Sequence, residues 1–260
     1  MKYSFSTLGC ADWSLQQIID YAKNSRFEAV EIRGINDEVE ILKMKELQPE
    51  NLPETKKLLD ENGVKIVCIS SSAAFHDPEK FEWGVAEGIA AVKAADYLGA
   101  SCIRVFGNNV VDDTTIPRVA KGIQMVCDAA KDTKVQVCLE IHGEFSKAEM
   151  ILEVARLVDR DNFGIVWDVG NNTVTCDDDH RVFYEQVKPL VKHVHFKDLI
   201  RATDKVVLPG EGDYPLPMLR DLLDEGGYTG FASLEWERKW HPEIEAIDVA
   251  EKAFFAVLDK

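Results

Sequence analysis

The sequence predicts an α/β fold, a single (β/α)8 TIM barrel occupying residues 1–260. Three observations carry that prediction. Short apolar runs alternate with longer stretches of helical periodicity, the pattern of parallel strands joined by helices. Eight such units follow one another with no linker or low-complexity tract, in 260 residues, close to the length of about 250 typical of one barrel. Groups able to bind a metal close the last four strands, and a barrel gathers its active-site groups at the C-terminal ends of its strands.

The first strand is read over Tyr3–Leu8. Ser14 then caps a helix whose Ile18, Ile19 and Ala22 share one face. Ala29–Arg33 (AVEIR) is the second strand, and Asn36–Leu52, weakly periodic, is expected to be an extended connection. A helix over Pro53–Glu61 tolerates proline in its first turn, where the missing N–H has no partner to lose, and Asn62-Gly63 stops it. Lys65–Ser71 is the third strand, Glu79–Leu98 an Ala-rich helix closed by Gly99, and Ser101–Phe106 the fourth strand. A helix over Pro117–Lys131 leads to the fifth strand, Val135–Gly143.

In the second half, Ser146 and Glu149 have the spacing of a capping box, which predicts a helix starting at Ser146. Phe163–Asp168 is the sixth strand, followed by a helix from Asp179 to Val187 and a seventh strand over Val191–Asp198. Ile200–Tyr214 is expected to be a loop, Pro215–Glu225 a helix, Gly230–Glu237 the eighth strand and Pro242–Leu258 the last helix.

Composition narrows the function. Lys and Arg number 30 against 46 Asp and Glu, a net charge of −16 that repels a phosphate backbone and an anionic membrane surface. Small molecules are therefore the expected partners, not nucleic acid or membrane, with the chain acting alone or as a homo-oligomer. The six cysteines, Cys10, Cys68, Cys102, Cys127, Cys138 and Cys176, form no Cys-x-x-Cys pair, and three fall inside strands. That usage fits a reducing compartment. The first residues (MKYSFSTLGC) lack the apolar core of a signal peptide, and no run approaches the ~18 apolar residues of a membrane span. The expected location is cytoplasmic.

Glu140, Asp168, His195 and Glu235 each close a short apolar strand. A carboxylate or imidazole costs several kcal/mol to bury unpaired, and a shared divalent cation removes that cost for all four. Three carboxylates and one imidazole make a hard, oxygen-rich set that favours Mn²⁺, Mg²⁺ or Co²⁺, and Zn²⁺ also accepts such ligands.

The segments AVEIRG, IRVFGN, LEIHG, WDVGN, HVHFKD and SLEWERKWHPEI resemble the xylose isomerase-like TIM barrel superfamily, in its sugar phosphate isomerase/epimerase-like branch. The resemblance spans essentially the whole chain. It implies a metal held by Glu140, Asp168, His195 and Glu235, Mn²⁺ first among the ions. It also implies acid/base work for Glu140 and Glu235, one on each face of an enediolate. The family's ketose epimerases carry a substrate-binding His where this chain has Asn171 and a Glu where it has Ser146, while an Arg is retained as Arg201. The resemblance thus implies a sugar isomerase or epimerase. It leaves as alternatives a metal-dependent lyase or dehydratase, including the kind that cleaves C-glycosides, and a metal-binding partner subunit without turnover. A three-zinc DNA-repair site needs more strand-end histidines than the six His of this chain supply.

Other residues are candidates on strand parity. His142 shares a strand face with Glu140 and is a candidate acid/base. Glu31 and Arg33 close the second strand and either order one another or touch substrate. His76 follows the third strand and is a candidate for the cleft. Lys197 shares parity with His195 and either binds substrate or pairs with a metal-binding carboxylate. Arg104 reads as a buried ion-pair partner and His193 as structural. Gly210-Glu211-Gly212 is too short a signal for a phosphate cradle, which favours an unphosphorylated sugar or polyol.

Overall fold

Eight parallel strands close on themselves in a computed structural model that describes residues 1–171 and 179–259. In chain order the barrel strands are β1 (Lys2–Ser6), β2 (Ala29–Ile32), β3 (Ile66–Ala74), β4 (Cys102–Phe106), β5 (Gln136–Glu140), β6 (Phe163–Asp168) and β7 (Val191–Phe196). A small antiparallel pair, β8 (Asp198–Ile200) and β9 (Lys205–Val207), precedes the eighth barrel strand, β10 (Phe231–Leu234). Strand β10 pairs with both β7 and β1, so the end of the chain closes onto its beginning.

Eight α-helices among the described residues surround the sheet: α1 (Leu15–Asn24), α2 (Leu52–Asn62), α3 (Phe81–Leu98), α4 (Thr115–Ala129), α5 (Ala148–Val158), α6 (His180–Val187), α7 (Leu216–Glu225) and α8 (Ile247–Leu258). Their boundaries follow local chemistry. Ser14 and Gln17 cap α1 reciprocally, and the Asp179 carboxylate accepts from the Val182 N–H at the start of α6. Gly63 and Gly99 end α2 and α3 with φ of +67° and +80°, a conformation costly for any residue with a Cβ. No helix among the described residues is long and apolar enough to cross a membrane.

Three expectations are corrected. Ser146 does not cap a helix: it ends a 3-10 turn, Gly143–Ser146, and α5 starts two residues later without a side-chain cap. The loop after the seventh strand contains the β8–β9 hairpin. The last helix starts at Ile247 and not at Pro242, because the Trp236 indole donates to the carbonyl of Glu245 at 2.8 Å and holds that segment against the barrel. Cys176, one of the six cysteines, lies outside the described residues; the other five are free and buried.

Alternation along each strand sorts side chains into two cores. Residues such as Ile103, Val105, Leu139, Ile165 and Leu234 pack outward beneath the helices. The interior is layered. Ala29, Cys68, Cys102, Cys138 and Val166 form a separate apolar plug, with Phe231 packed against it. One step along the same faces lie the buried polar groups Ser4, Glu31, Ser70, His193 and Ser233. At the C-terminal ends lie Arg33, Glu140, Asp168, His195 and Glu235.

Candidate metal centre

The site is assembled by register. Asp168 pairs directly with His195 across β6 and β7, and Ser233, two residues before Glu235, pairs with His195 from the other side. Glu140 ends β5, next to β6. Each of Glu140, Asp168, His195 and Glu235 contributes one ligand atom to a buried group whose members all lie within 4.8 Å of one another. The histidine is aimed for ligation. Its Nδ1 lies 3.4 Å from Oε1 of Glu140 and 3.3 Å from Oε1 of Glu235, buried and with no hydrogen-bond partner among the described residues. An orphaned imidazole nitrogen facing carboxylate oxygens fits a divalent cation.

The opposite side of the ring explains its orientation. Nε2 of His195 lies 3.0 and 3.1 Å from the two oxygens of Glu31. Glu31 is also 2.8 Å from Nε2 of His193 and accepts from the Ser70 hydroxyl. His193 in turn meets Ser233 at 3.0 Å, and Ser233 meets Ser4 at 2.8 Å. A hydrogen-bonded column therefore rises through the barrel interior to the putting-in-place of one ligand nitrogen.

Two cations balance the carboxylates. Nη1 of Arg104 lies 2.9 Å from Glu140 and 3.6 Å from Glu235, and its guanidinium packs 4.2 Å from the centre of the Phe106 ring. Nζ of Lys197 lies 2.7 Å from Asp168, 3.1 Å from Glu235 and 2.7 Å from Glu237. Asn171 fixes Asp168 with its backbone N–H at 2.9 Å and its side-chain amide at 3.1 Å.

These surroundings set the charge states. Burial pushes the Asp168 carboxyl up to about 7, with Lys197 pulling the other way. Burial also disfavours charge on Glu140 and Glu235. For Glu140 it is outweighed chiefly by Arg104, and for Glu235 by Lys197 and His195, so both carboxyls sit below the usual range. Burial opposes a charge on His195, but Glu31 and Glu235 overcome it and hold its pKa well above the ordinary value.

Beside the centre opens a cleft of about 410 Å³, lined by the buried Arg33, Arg104, Glu140, Lys197 and Glu235 and by His142, Ser146, Asn171 and Trp240. His142 is exposed and meets Phe106 edge-on at 5.6 Å. Arg201 is not among the cleft-lining residues, but its guanidinium lies 6.0 Å from the centre of the Tyr214 ring, which is.

Two expected substrate contacts are corrected. Glu31 is fully buried below His195, both of its oxygens engaged by histidines, so the cleft does not reach it. His76 is not among the cleft-lining residues, and its carbonyl accepts from Arg118 at 2.8 Å. Lys197 makes the ion pairs of one of its two readings and also lines the cleft, as the other requires, and Arg104 makes the buried pairing expected of it. The N–H groups of Gly210 and Gly212 donate to Asp198 at 2.7 and 3.1 Å, which commits to a carboxylate the backbone donors a phosphate would need. Glu237 and Ser233 went unnoticed in the sequence, although both share the strand parity of Glu235.

A second buried group, Glu31, Cys68 and His193, also brings three ligand types together. Its carboxylate is already shared by two histidines, and burial holds the Cys68 thiol well above its ordinary pKa, which disfavours the thiolate a metal needs.

The chain is a closed parallel barrel whose C-terminal mouth carries a buried carboxylate–histidine cluster able to hold a metal ion. The family model for the xylose isomerase-like TIM barrel matches residues 19–254, and the chain belongs to that family. No curated protein matches the sequence. Among solved structures, the chain is similar to the probable 3-DHS dehydratase AsbF of Bacillus anthracis, with a TM-score of 0.82, 21% identity, and 100% of this chain and 99% of that one covered. It is similar to the 3-keto-D-glucoside 4-epimerase YcjR of E. coli, with a TM-score of 0.79 and 15% identity, both chains covered in full. The IOLI protein, solved with a bound zinc atom, gives a TM-score of 0.79 at 19% identity over 100% of this chain and 98% of that one.

Proposed function

We propose that the chain is a divalent-metal-dependent isomerase or epimerase that acts on a sugar or sugar derivative by proton transfer through an enediolate. The observation that carries this reading is the convergence of Glu140, Asp168, His195 and Glu235 in one buried group, of which Glu140 and Glu235 line an open cleft, with Nδ1 of His195 buried and without a hydrogen-bond partner among the described residues. The donor set favours Mn²⁺ first, with Mg²⁺, Co²⁺ and Zn²⁺ also compatible. A divalent ion held by these four residues supplies Lewis-acid polarisation of a substrate carbonyl and its neighbouring hydroxyl.

The protein's own groups move the proton. Glu140 and Glu235 stand on β5 and just beyond β10, separated round the barrel by β6 and β7, and both line the cleft. One, as the carboxylate, takes the proton from the carbon beside the carbonyl, and the other, first protonated from solvent, delivers its proton to the opposite face. Arg104 lies 2.9 Å from Glu140 and 3.6 Å from Glu235 and favours the ionised form of Glu140, as Lys197 and His195 do for Glu235. His142 at the mouth is the alternative proton carrier. Lys197, Asn171 and Arg201 are assigned to substrate oxygens, Asn171 standing where related epimerases carry histidine. The five buried free cysteines support a cytoplasmic setting.

A second reading, a metal-dependent lyase or dehydratase, is favoured by one feature. Elimination takes the same proton but also expels a hydroxyl as water, which calls for an acid beside the base. The Lys197 ammonium lies 3.1 Å from Glu235.

Incubation of metal-loaded protein with ketoses and keto-sugar derivatives in deuterated water tests both. Epimerisation incorporates deuterium at the carbon beside the carbonyl without loss of mass from the skeleton, and Glu140→Gln or Glu235→Gln lowers incorporation by about 10²–10⁴-fold. Net loss of water or of a glycosyl partner selects the lyase reading. Intramolecular hydrogen transfer with no solvent label rejects the proton shuttle, and bound sugar with no exchange at all selects a metal-binding subunit without turnover.

A further inference from the structure

Every buried charge at the centre but one has a partner of opposite sign. Arg104 is paired with Glu140 and Glu235, and Lys197 with Asp168, Glu235 and Glu237. Arg33 is the exception. Its side chain is 6% exposed and lines the same cleft, yet among the described residues no carboxylate lies within 4.0 Å of its guanidinium. Its side-chain partners are neutral and share one nitrogen: Nη1 donates to the carbonyl of Val39 at 2.8 Å and to the hydroxyl of Ser72 at 3.1 Å. The Nε and Nη2 donors are left without a protein partner among the described residues.

The guanidinium is held in place from behind. Ser72 also donates to the Val39 carbonyl at 2.8 Å. The buried Glu87 carboxylate accepts from the N–H groups of Ile41, Leu42 and Ser72, which ties the long β2–α2 connection to β3 around Arg33. Burial and the neighbouring Arg104 press the Arg33 pKa down to about 9, so it stays charged at neutral pH in a place that disfavours charge. Such a residue is costly unless something in the working complex pairs with it. Its place in the barrel says where that something lies. Strand β2 sits between β1 and β3, outside the run of β5, β6, β7 and β10 that carries the metal ligands.

We infer that Arg33 binds a carboxylate group on the substrate, from the β2 side of the cleft, so that the natural substrate is a sugar acid or keto acid and not a neutral sugar. A planar carboxylate takes two parallel N–H bonds from the open edge of a guanidinium, and the pairing is specific in geometry as well as charge. This rests on the proposed function for the location of the reacting carbon, but the anion preference belongs to the chain alone.

The test is a comparison of matched compounds: D-glucuronate and D-galacturonate against D-glucose and D-galactose, with the corresponding hexose 6-phosphates as a second anion. Calorimetry or NMR titration is run on metal-loaded and on chelated protein. Wild type is expected to bind a uronate about 10- to 100-fold more tightly than its neutral counterpart, the size of a charge-assisted pair. Arg33→Gln is expected to bring the two within about twofold, and Arg33→Lys, which keeps the charge without the paired donors, to retain part of the preference. A merely structural Arg33 would weaken acid and neutral sugar alike and leave their ratio intact, which overturns the inference. So does a wild type with no preference for either uronate, or one that prefers the phosphate esters. A wild type that takes up no metal overturns the proposed function instead and leaves this ratio measurable in the chelated protein.

Discussion

Glu31 holds His195 by its far nitrogen: Nε2 lies 3.0 and 3.1 Å from the two carboxylate oxygens, and Nδ1 is thereby turned toward Glu140 and Glu235. A carboxylate behind a ligating histidine fixes the tautomer and raises the ring's donor strength, and losing it typically weakens metal binding by about 10- to 100-fold. Glu31→Gln should therefore lower divalent metal affinity by that factor while the barrel still folds. Metal titration followed by far-UV circular dichroism checks both halves. Unchanged affinity would show that the column below His195 has no part in holding the ion.

Arg104 is the counterweight to the carboxylates of Glu140 and Glu235. It is 2% exposed and reaches both Glu140 and Glu235. Removing one partner of a buried pair leaves the other uncompensated, at a cost of about 3–5 kcal/mol. Arg104→Met is expected to destabilise the metal-free protein by that amount and to be rescued in part by saturating Mn²⁺. Urea unfolding with and without metal provides the measurement. Equal destabilisation in the two conditions would mean that ion and guanidinium do not act on the same carboxylates.

Proton competition gives the pH dependence of loading. Burial pushes Asp168 up to about 7 in the metal-free protein, and only its carboxylate form binds a cation. Below that pH each ion bound must displace a proton from Asp168. The His195 pKa is also raised, so a second proton must leave its ring when an ion binds. Apparent affinity should thus fall by about tenfold or more for each pH unit below 7. Titrations across pH 5.5–8 in two buffers of different ionisation enthalpy read both the affinity and the protons released. Affinity that stays flat across that range would contradict the assignment of Asp168.

Much of this site was legible in the sequence because a strand has a period of two and a barrel has an inside. Glu140, Asp168, His195 and Glu235 could be placed together from strand ends alone, and Arg104 could be read as buried because it sits mid-strand among apolar neighbours. Parity does not give depth. Glu31, in β2, and Arg33, one residue past its end, share parity, but one lies in the polar layer beneath His195 and the other lines the cleft, a difference set by the rise of two residues along the chain. Local helix signals failed where tertiary contacts compete with them. Ser146 has a capping spacing but is drawn into a buried turn at the cleft, and Pro242 offers a helix start that the Trp236–Glu245 hydrogen bond overrides. The Gly210–Gly212 loop looked free only because its partner, Asp198, lies twelve residues away from Gly210.

The central claim is that Glu140, Asp168, His195 and Glu235 hold one divalent ion between them. Elemental analysis of protein stripped with chelator, reconstituted with Mn²⁺ and desalted tests it most directly. Wild type is expected to retain one ion per chain, and Glu140→Gln, Asp168→Asn, His195→Ala and Glu235→Gln each to retain far less. Wild-type protein that holds none of Mn²⁺, Co²⁺, Mg²⁺ or Zn²⁺, or four variants that hold as much as wild type, would contradict it.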